Sequence, residues 1–325
     1  MWNFDERGLL RRRRALDDGV RQRELDDALA EGELIAVGRG VYIPKSAVEG
    51  RPAYLQKQIR YRAWCVAAAT RRRDDGSDSG SEEADRILSH QSAAALHGLS
   101  LLEPDRGSVH ITSRQPAGGA VKGRATVFHT GPLPEDDVVT VDGLQVTSLV
   151  RTAADVALSS SFPQALAVLD AARKRGVDPE ALKESLERPR RGVARARRAL
   201  RHSNPLAANP GESWCRAQII EAGLPTPVLQ KRYVLHDGSV AYVDHDFDGE
   251  LVLEFDGICK YSGEYLGAGQ VPADVVVAEK RREDGLRELG LDVIRAVWSD
   301  LRRRQLIPVL RRHLGARGFQ IPGLH

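Results

Sequence analysis

Apolar positions along the chain keep two rhythms, one of period two and one near 3.6, and the changes between them mark out its elements. Near the start, helical spacing covers Glu6 to Asp18 and Gln22 to Ala30, and Leu34 to Pro44 then alternates around Gly38-Arg39-Gly40 like a short hairpin. Two helices followed by a basic hairpin describe a winged helix-turn-helix, in which a helix enters the major groove and the wing reaches the adjacent backbone. The acidic residues Glu24, Asp26 and Asp27 suit the second helix poorly to reading a groove.

Tyr54 to Thr70 predicts a helix, and residues 71–86 are a polar stretch expected to be a disordered loop. Ile87 to Leu99 reads as a helix closed by Gly98, followed by short strands at Val109–Thr112, Thr126–His129 and Gln145–Thr147. Ser148 can cap the next helix, with Arg151 and Asp155 one turn apart, and Pro163 to Arg175 forms another.

The last third predicts a helix from Glu212 to Ala222 and strands at Val228–Leu235, Val240–Phe247 and Leu251–Asp256. Asp248-Gly249 joins the last two strands as a hairpin. A helix from Pro272 to Leu289 ends at Gly290, a buried strand covers Leu291–Trp298, and a final helix runs from Ser299 to about Leu314. These patterns divide the chain into residues 1–50, an α+β middle at 51–204, and an α/β sandwich at 205–325 with a mixed sheet flanked by helices.

Composition adds bounds. A chain of 325 residues with 42% hydrophobic and 29% charged residues fits an ordinary globular protein of about two or three domains. No apolar run approaches a membrane span, and Met1 to Ala15 carries the charges of neither a secretion signal nor a transit peptide, so a cytoplasmic protein is expected. Cys65, Cys215 and Cys259 are an odd number too widely spaced for a disulfide framework or a zinc site, and Cys259 reads as a buried structural thiol. His90, His97, His110 and His129 lack paired ligand spacing and read as ordinary polar positions. Phosphate-cradling and nucleophile-elbow motifs are absent, so ATP-driven and dinucleotide chemistry is unsupported. A net charge of +3 proves no nucleic-acid partner, but Arg11–Arg14 and the seven arginines from Arg188 to Arg201 are clusters able to hold phosphates or to serve as solvated helix faces.

The strongest chemical signal lies between Asp244 and Lys260. In a strand, residues two apart share a face, so Glu254 and Asp256 point the same way. A loop at Asp248–Glu250 sets Asp244 opposite Glu254, gathering Asp244, Glu254 and Asp256 on one side. Crowded carboxylates repel unless a cation neutralises them, and oxygen-only ligation suits Mg²⁺ or Mn²⁺. Such an ion polarises a phosphodiester, and Lys260 stands nearby to stabilise phosphate charge. Asp244-x-Asp246-x-Asp248-Gly249 also opens like a calcium loop, but the closing position falls on Phe255 and the flanks are strands; Asp246 and Asp248 are read instead as solvated turn residues.

Asp244, Glu254-Phe255-Asp256-Gly257, Lys260-Tyr261 and Glu279-Lys280-Arg281-Arg282-Glu283 before Leu286-Arg287 and Gly290 resemble the Vsr-like (very-short-patch-repair type) branch of the PD-(D/E)xK nucleases across roughly residues 205 to 325. The resemblance implies a restriction-endonuclease-like sheet, with Asp244 and Glu254 as central metal ligands, Glu212 as an accessory ligand, and Lys280 and Arg281 on phosphate. Two departures stand out: Val243 occupies the superfamily's proline position and Asp256 its usual lysine, so Lys260 would act from a displaced place.

Gly32-Glu33-Leu34 leading to Arg39-Gly40-Val41-Tyr42, with Ser89–Ala93 and Val146–Asp155, resembles AbiEi-type antitoxins. That implies DNA binding and autoregulation, with Arg39 contacting phosphate from the wing and an unknown toxin as partner. The expectation is a Mg²⁺-dependent endonuclease acting on DNA, with a homodimer suited to cutting both strands. The competing readings are a non-enzymatic regulator of the AbiEi antitoxin type, and a partner-binding protein with no DNA contact.

Overall fold

The computed structural model describes residues 2–70, 86–113, 119–123, 125–257 and 273–321. It is a multi-domain α+β protein whose strands fall into three sheets. The described residues divide into two compact units, one from the described parts of 2–99 and 104–152, the other from 100–103, 153–257 and 273–321.

The first unit begins with β1 (Leu10–Arg11), α1 (Arg12–Asp17), α2 (Gln22–Ala30), β2 (Leu34–Gly38) and β3 (Val41–Pro44). The expected helix from Glu6 is shorter because Gly8 turns the chain at φ 72° and Leu10–Arg11 pairs with Tyr42 and Val41 instead. Leu25 and Ala28 of α2 bury against Leu10, Ala15, Leu34 and Tyr42, which anchors the wing hairpin through an apolar face of period 3.6. At its tip, Gly40 takes φ 68°, its carbonyl accepts from Arg12 N at 2.9 Å, and Arg39 is exposed.

After α3 (Ala53–Ala69), β4 (Ile87–Leu88) leads into α4 (His90–His97). Ile87 and Leu88 are therefore strand, not the first turn of a helix, because they pair with Thr112, Ile111 and Val146. The sheet is completed by β5 (Val109–Ser113), β6 (Gly119–Lys122), β7 (Thr126–Thr130), β8 (Val138–Val141) and β9 (Leu144–Thr147) in the order β6-β7-β5-β4-β9-β8. Tyr61 of α3 donates to Ser108 O at 2.9 Å and lies 2.9 Å from Ser92 Oγ, tying helix to sheet through buried hydroxyls. The expected loop at 71–86 falls almost wholly outside the described residues.

Helix α5 (Leu149–Ser159) precedes the second unit's α6 (Phe162–Lys174), α7 (Pro179–Ser185) and α8 (Val193–His202). Arginines of the 188–201 cluster work locally: Arg195 donates to Leu158 O, Arg197 to Leu186 O, and Arg198 lies 4.5 Å over the Phe162 ring. Then follow α9 (Pro210–Glu221), β10 (Val228–Val234), β11 (Val240–Phe247), β12 (Leu251–Asp256), α10 (Ala273–Glu288) and β13 (Asp292–Val297). The sheet order is β10-β11-β12-β13, antiparallel except for the parallel β12–β13 pair. Its helix-flanked mixed architecture is the expected one. One core packs Phe247, Leu251, Leu253 and Phe255 with Cys215 and Ile219 of α9, and a second packs Val243, Val252 and Val293 with Leu286 of α10. The expected last helix is two, α11 (Trp298–Arg302) and α12 (Leu306–Ala316). Pro308 cannot donate to the carbonyl of Arg304, and the chain breaks there with Arg304 at φ 56°. Among the described residues, no helix is long and apolar enough to cross a membrane.

Candidate functional site

The carboxylates gather where α9 meets the central strands. Asn209 caps α9, its side chain accepting from Gly211 N at 2.9 Å and Glu212 N at 3.1 Å. Glu212 folds back, accepting from Ala208 N at 2.7 Å and Asn209 Nδ2 at 2.6 Å. Gly211 permits the approach: a Cβ there would stand 1.9 Å from the Phe255 ring, so only glycine lets α9 lie this close to β12.

The hairpin has the expected register, His245 opposite Leu253 and Phe247 opposite Leu251, with Asp248 at φ 50° and Gly249 at φ 76° in the turn. Pairing stops at His245. Beyond it, Phe255 N donates to Asp244 Oδ2 at 2.8 Å, the side chain replacing a backbone partner as the strands separate. The alternation of faces also breaks at Asp244: Val243 packs with Val252 and Leu286, whereas Phe247 packs with Cys215 and the His245 ring lies 3.2 Å from Glu212 O. Across β10, Gln230 takes φ 52° and donates to Asp244 Oδ1 at 3.2 Å. Such an irregularity re-aims one side chain of a strand, here the first aspartate.

Glu254 is half-buried and accepts from Arg282 Nη2 at 2.9 Å. Burial pushes Glu254 up to about 7, with the Asp244 charge adding to it and Arg282 opposing. Glu212 is likewise pushed up to about 7 by burial, then by Asp244, with Lys174 opposing and Glu254 adding. Glu212, Asp244 and Glu254 thus share one electrostatic neighbourhood. Asp256 ends β12, half-buried and opposite Val297. Lys260 and Cys259 lie outside the described residues. Lys280 and Arg281 are exposed on α10, and the cation that α10 brings to Glu254 is Arg282. Helical spacing held that signal, because Arg282, Glu283 and Leu286 repeat at the interval of the face that meets the sheet. Nothing local in the sequence points to Gln230, or to Lys174, whose Nζ donates to Ala208 O at 2.9 Å.

Asp246 corrects the reading of a solvated turn residue. It is 1% exposed and accepts from Lys231 Nζ at 2.8 Å, Tyr233 OH at 2.5 Å and Gly249 N at 3.1 Å, so it braces the hairpin from inside, while Asp248 is exposed as expected. The histidines hold a second departure. His97 Nε2 lies 2.7 Å from Thr147 O, but His90, His110 and His129 converge in the first unit. Burial pushes His90 down to about 3 and lowers His110 as well.

Comparison with known proteins meets the fold in its middle. Residues 87–202 match the family model of the AbiEi antitoxin C-terminal domain, which includes the Ser89–Ala93 and Val146–Asp155 segments. The chain is also similar to two Mycobacterium tuberculosis proteins, uncharacterized protein MT2308 of strain CDC 1551 / Oshkosh and uncharacterized protein Rv2248 of strain H37Rv, each 34% identical over 182 residues. That stretch is 54% of this chain and 63% of each relative, so the chain spans less than two-thirds of the curated relatives' length. The wing and the carboxylate cluster both lie outside the family match.

Proposed function

We propose that this chain is a DNA-binding regulator of the AbiEi antitoxin type, which binds DNA through its N-terminal wing and has a toxin as its partner. The single observation that carries the reading is the family match over residues 87–202. The segment ahead of it supports the reading, with exposed Arg39 at the tip of the packed hairpin and exposed Arg12, Arg13 and Arg14 on α1 as phosphate-contacting charges. Footprinting the full chain on the DNA upstream of its own reading frame tests it. A single protected site, unaffected by chelator and weakened steeply by salt, is expected; absence of salt-dependent binding would overturn it.

A second reading, metal-dependent cleavage of phosphodiesters in the last domain, is favoured by one observation: Glu212 and Glu254 are both pushed up to about 7 around Asp244. Two carboxyls that resist ionising beside the Asp244 charge suit a hard divalent cation, Mg²⁺ or Mn²⁺, which Glu212, Asp244 and Glu254 would hold, with Asp256 two residues beyond Glu254 on β12. A bound cation of this kind supplies charge neutralisation and Lewis acidity toward phosphate. The chain's own part is to orient: Gln230 and Phe255 N fix the Asp244 carboxylate, Asn209 and Ala208 N fix Glu212, and Arg282 holds Glu254. Wild-type protein should then nick plasmid DNA with Mn²⁺, and Glu254→Gln should lower nicking by about a hundredfold or more while DNA affinity holds. Nicking that survives Glu254→Gln would remove this reading and leave the regulator standing.

A further inference from the structure

We propose that His90, His110 and His129 form a binding site for a borderline divalent transition metal of the Zn²⁺ and Co²⁺ kind, ligated by three imidazole nitrogens in the first unit. The three residues come from separate elements: His110 from β5, His129 from its parallel neighbour β7, and His90 from the first position of α4. One nitrogen from each can be chosen so that all three lie within 4.8 Å of one another. His110 Nδ1 is 3.0 Å from His129 Nε2, and the His90 ring is centred 3.8 Å from that of His129 and 5.5 Å from that of His110.

The site is built rather than accidental. His110 is fixed at both ends of its backbone, its N–H donating to Ser92 Oγ at 2.8 Å and its carbonyl accepting from Ser89 N at 3.0 Å. His90 is held at φ 50°, a left-handed conformation that a side chain larger than glycine rarely adopts, and it is this turn that starts α4 beside the other two rings. Its Nδ1 lies 3.0 Å from the buried Ser89 hydroxyl, an outer partner of the kind that fixes a ligating imidazole's tautomer and leaves Nε2 for the ion.

Chemistry selects the ion. Imidazole nitrogens without a carboxylate suit zinc, cobalt, nickel or copper and disfavour Mg²⁺ and Ca²⁺. A tetrahedral ion with bonds of about 2.0–2.1 Å spaces its nitrogens by about 3.3–3.4 Å, close to the 3.0 Å pair. The stacked rings must fan apart to receive it, chiefly by rotation about terminal torsions that are broad for histidine. Three protein ligands leave a fourth position for water or an incoming donor, the arrangement of reactive rather than closed zinc sites. The Arg151 charge acts on His90, and that guanidinium is itself paired with Asp137 at 2.9 Å.

The test is a Co²⁺ titration of the chelator-treated full chain, followed by visible absorption. One equivalent of Co²⁺ should develop the intense bands of low-coordinate, nitrogen-bound cobalt, and equimolar Zn²⁺ should bleach them while millimolar Mg²⁺ should not. His110→Ala and His129→Gln should each weaken Co²⁺ binding by at least about tenfold. His97→Ala and Glu254→Gln should leave the bands in place, the latter separating this site from the carboxylate cluster. Where a variant fails to fold, the unmutated protein still decides: histidine ring signals of three residues should shift together with Zn²⁺. A wild-type protein with no bands at one equivalent, bands that survive His110→Ala, or bands lost in Glu254→Gln would overturn the proposal.

Discussion

The two units bury polar chemistry of opposite kinds. Among the described residues of the first, the buried polar side chains are hydroxyls: Ser89, Ser92, Ser108, Thr112, Thr147 and Thr152. The second buries Asp155, Asp170, Glu212, Arg216, His245 and Asp246 as well as neutral groups. A hydroxyl taken out of water costs little once it has one partner, whereas an ion needs an opposite charge and several donors. The first unit can therefore gather imidazoles and hydroxyls with no ion pair among its described buried groups, and burial lowers His90 and His110. The second gathers carboxylates that must take a proton, an arginine or a metal. The difference teaches that the units should respond differently to three perturbations: loss of an internal partner, change of pH, and loss of a surface charge.

Loss of an internal partner gives the largest effect. Asp170 is 1% exposed and accepts from Arg216 Nη2 at 2.7 and 2.6 Å, Ser213 Oγ at 2.7 Å and Asn204 N at 2.7 Å, which pins α6 to α9 and so to the helix that carries Glu212. Asp170→Ala strands the buried guanidinium and should destabilise the second unit by about 3–5 kcal/mol. Ser92→Ala in the first unit removes the acceptor of His110 N and the partner of Tyr61 and should cost about 1–3 kcal/mol. Urea titration followed by hydrogen exchange resolves each unit, and equal losses in the two would break the contrast.

The pH response is smaller and has a definite sign. For Glu212 and Glu254 the folded chain keeps a proton up to about 7 that the unfolded chain gives up near the ordinary glutamate value of 4.5. Each group's contribution is therefore fully present below about 4.5 and is lost as pH rises through about 7. The two interact, so they titrate as a set and their effects do not add. Glu212→Gln, which cannot ionise, should stabilise the second unit by about 1–2 kcal/mol at pH 8 and hardly at all at pH 4. Mn²⁺ at pH 8 should close the gap by stabilising the wild type alone. A gain that is the same at both pH values would show that charge is not its cause.

What the sequence made legible follows the same physics. Elements fixed by local chemistry were readable to the residue: α2 at Gln22–Ala30, β11 at Val240–Phe247 and β12 at Leu251–Asp256 with the Asp248-Gly249 turn between them. Elements fixed by distant partners were not. Leu10–Arg11 and Ile87–Leu88 are strands only because Tyr42, Ile111 and Val146 lie beside them. The carboxylate set was visible because a two-residue period and one turn bring Glu254 opposite Asp244, although the break of alternation at Asp244 depends on Gln230 across the sheet. The histidine cluster was hidden, since parallel pairing of β5 with β7 places His110 and His129 together from positions with no ligand spacing.

Loss of a surface charge gives the smallest effect and sharpens the contrast most. If the first unit buries neutral groups only, its arginines at the surface should matter to partners and not to folding. Arg39 stands exposed at the turn between β2 and β3, whose strands are held by Leu34, Tyr42 and the α2 face, none of which it supports. Arg39→Ala should leave the unfolding of the first unit within about 0.5 kcal/mol of wild type. It should also weaken DNA binding several-fold and lower the slope of log affinity against log salt by about one, the signature of a single phosphate contact. Fluorescence anisotropy across a salt series measures both. An unchanged slope would place the DNA contact elsewhere than the wing, and a loss of stability would mean that the first unit, like the second, relies on charge to hold its fold.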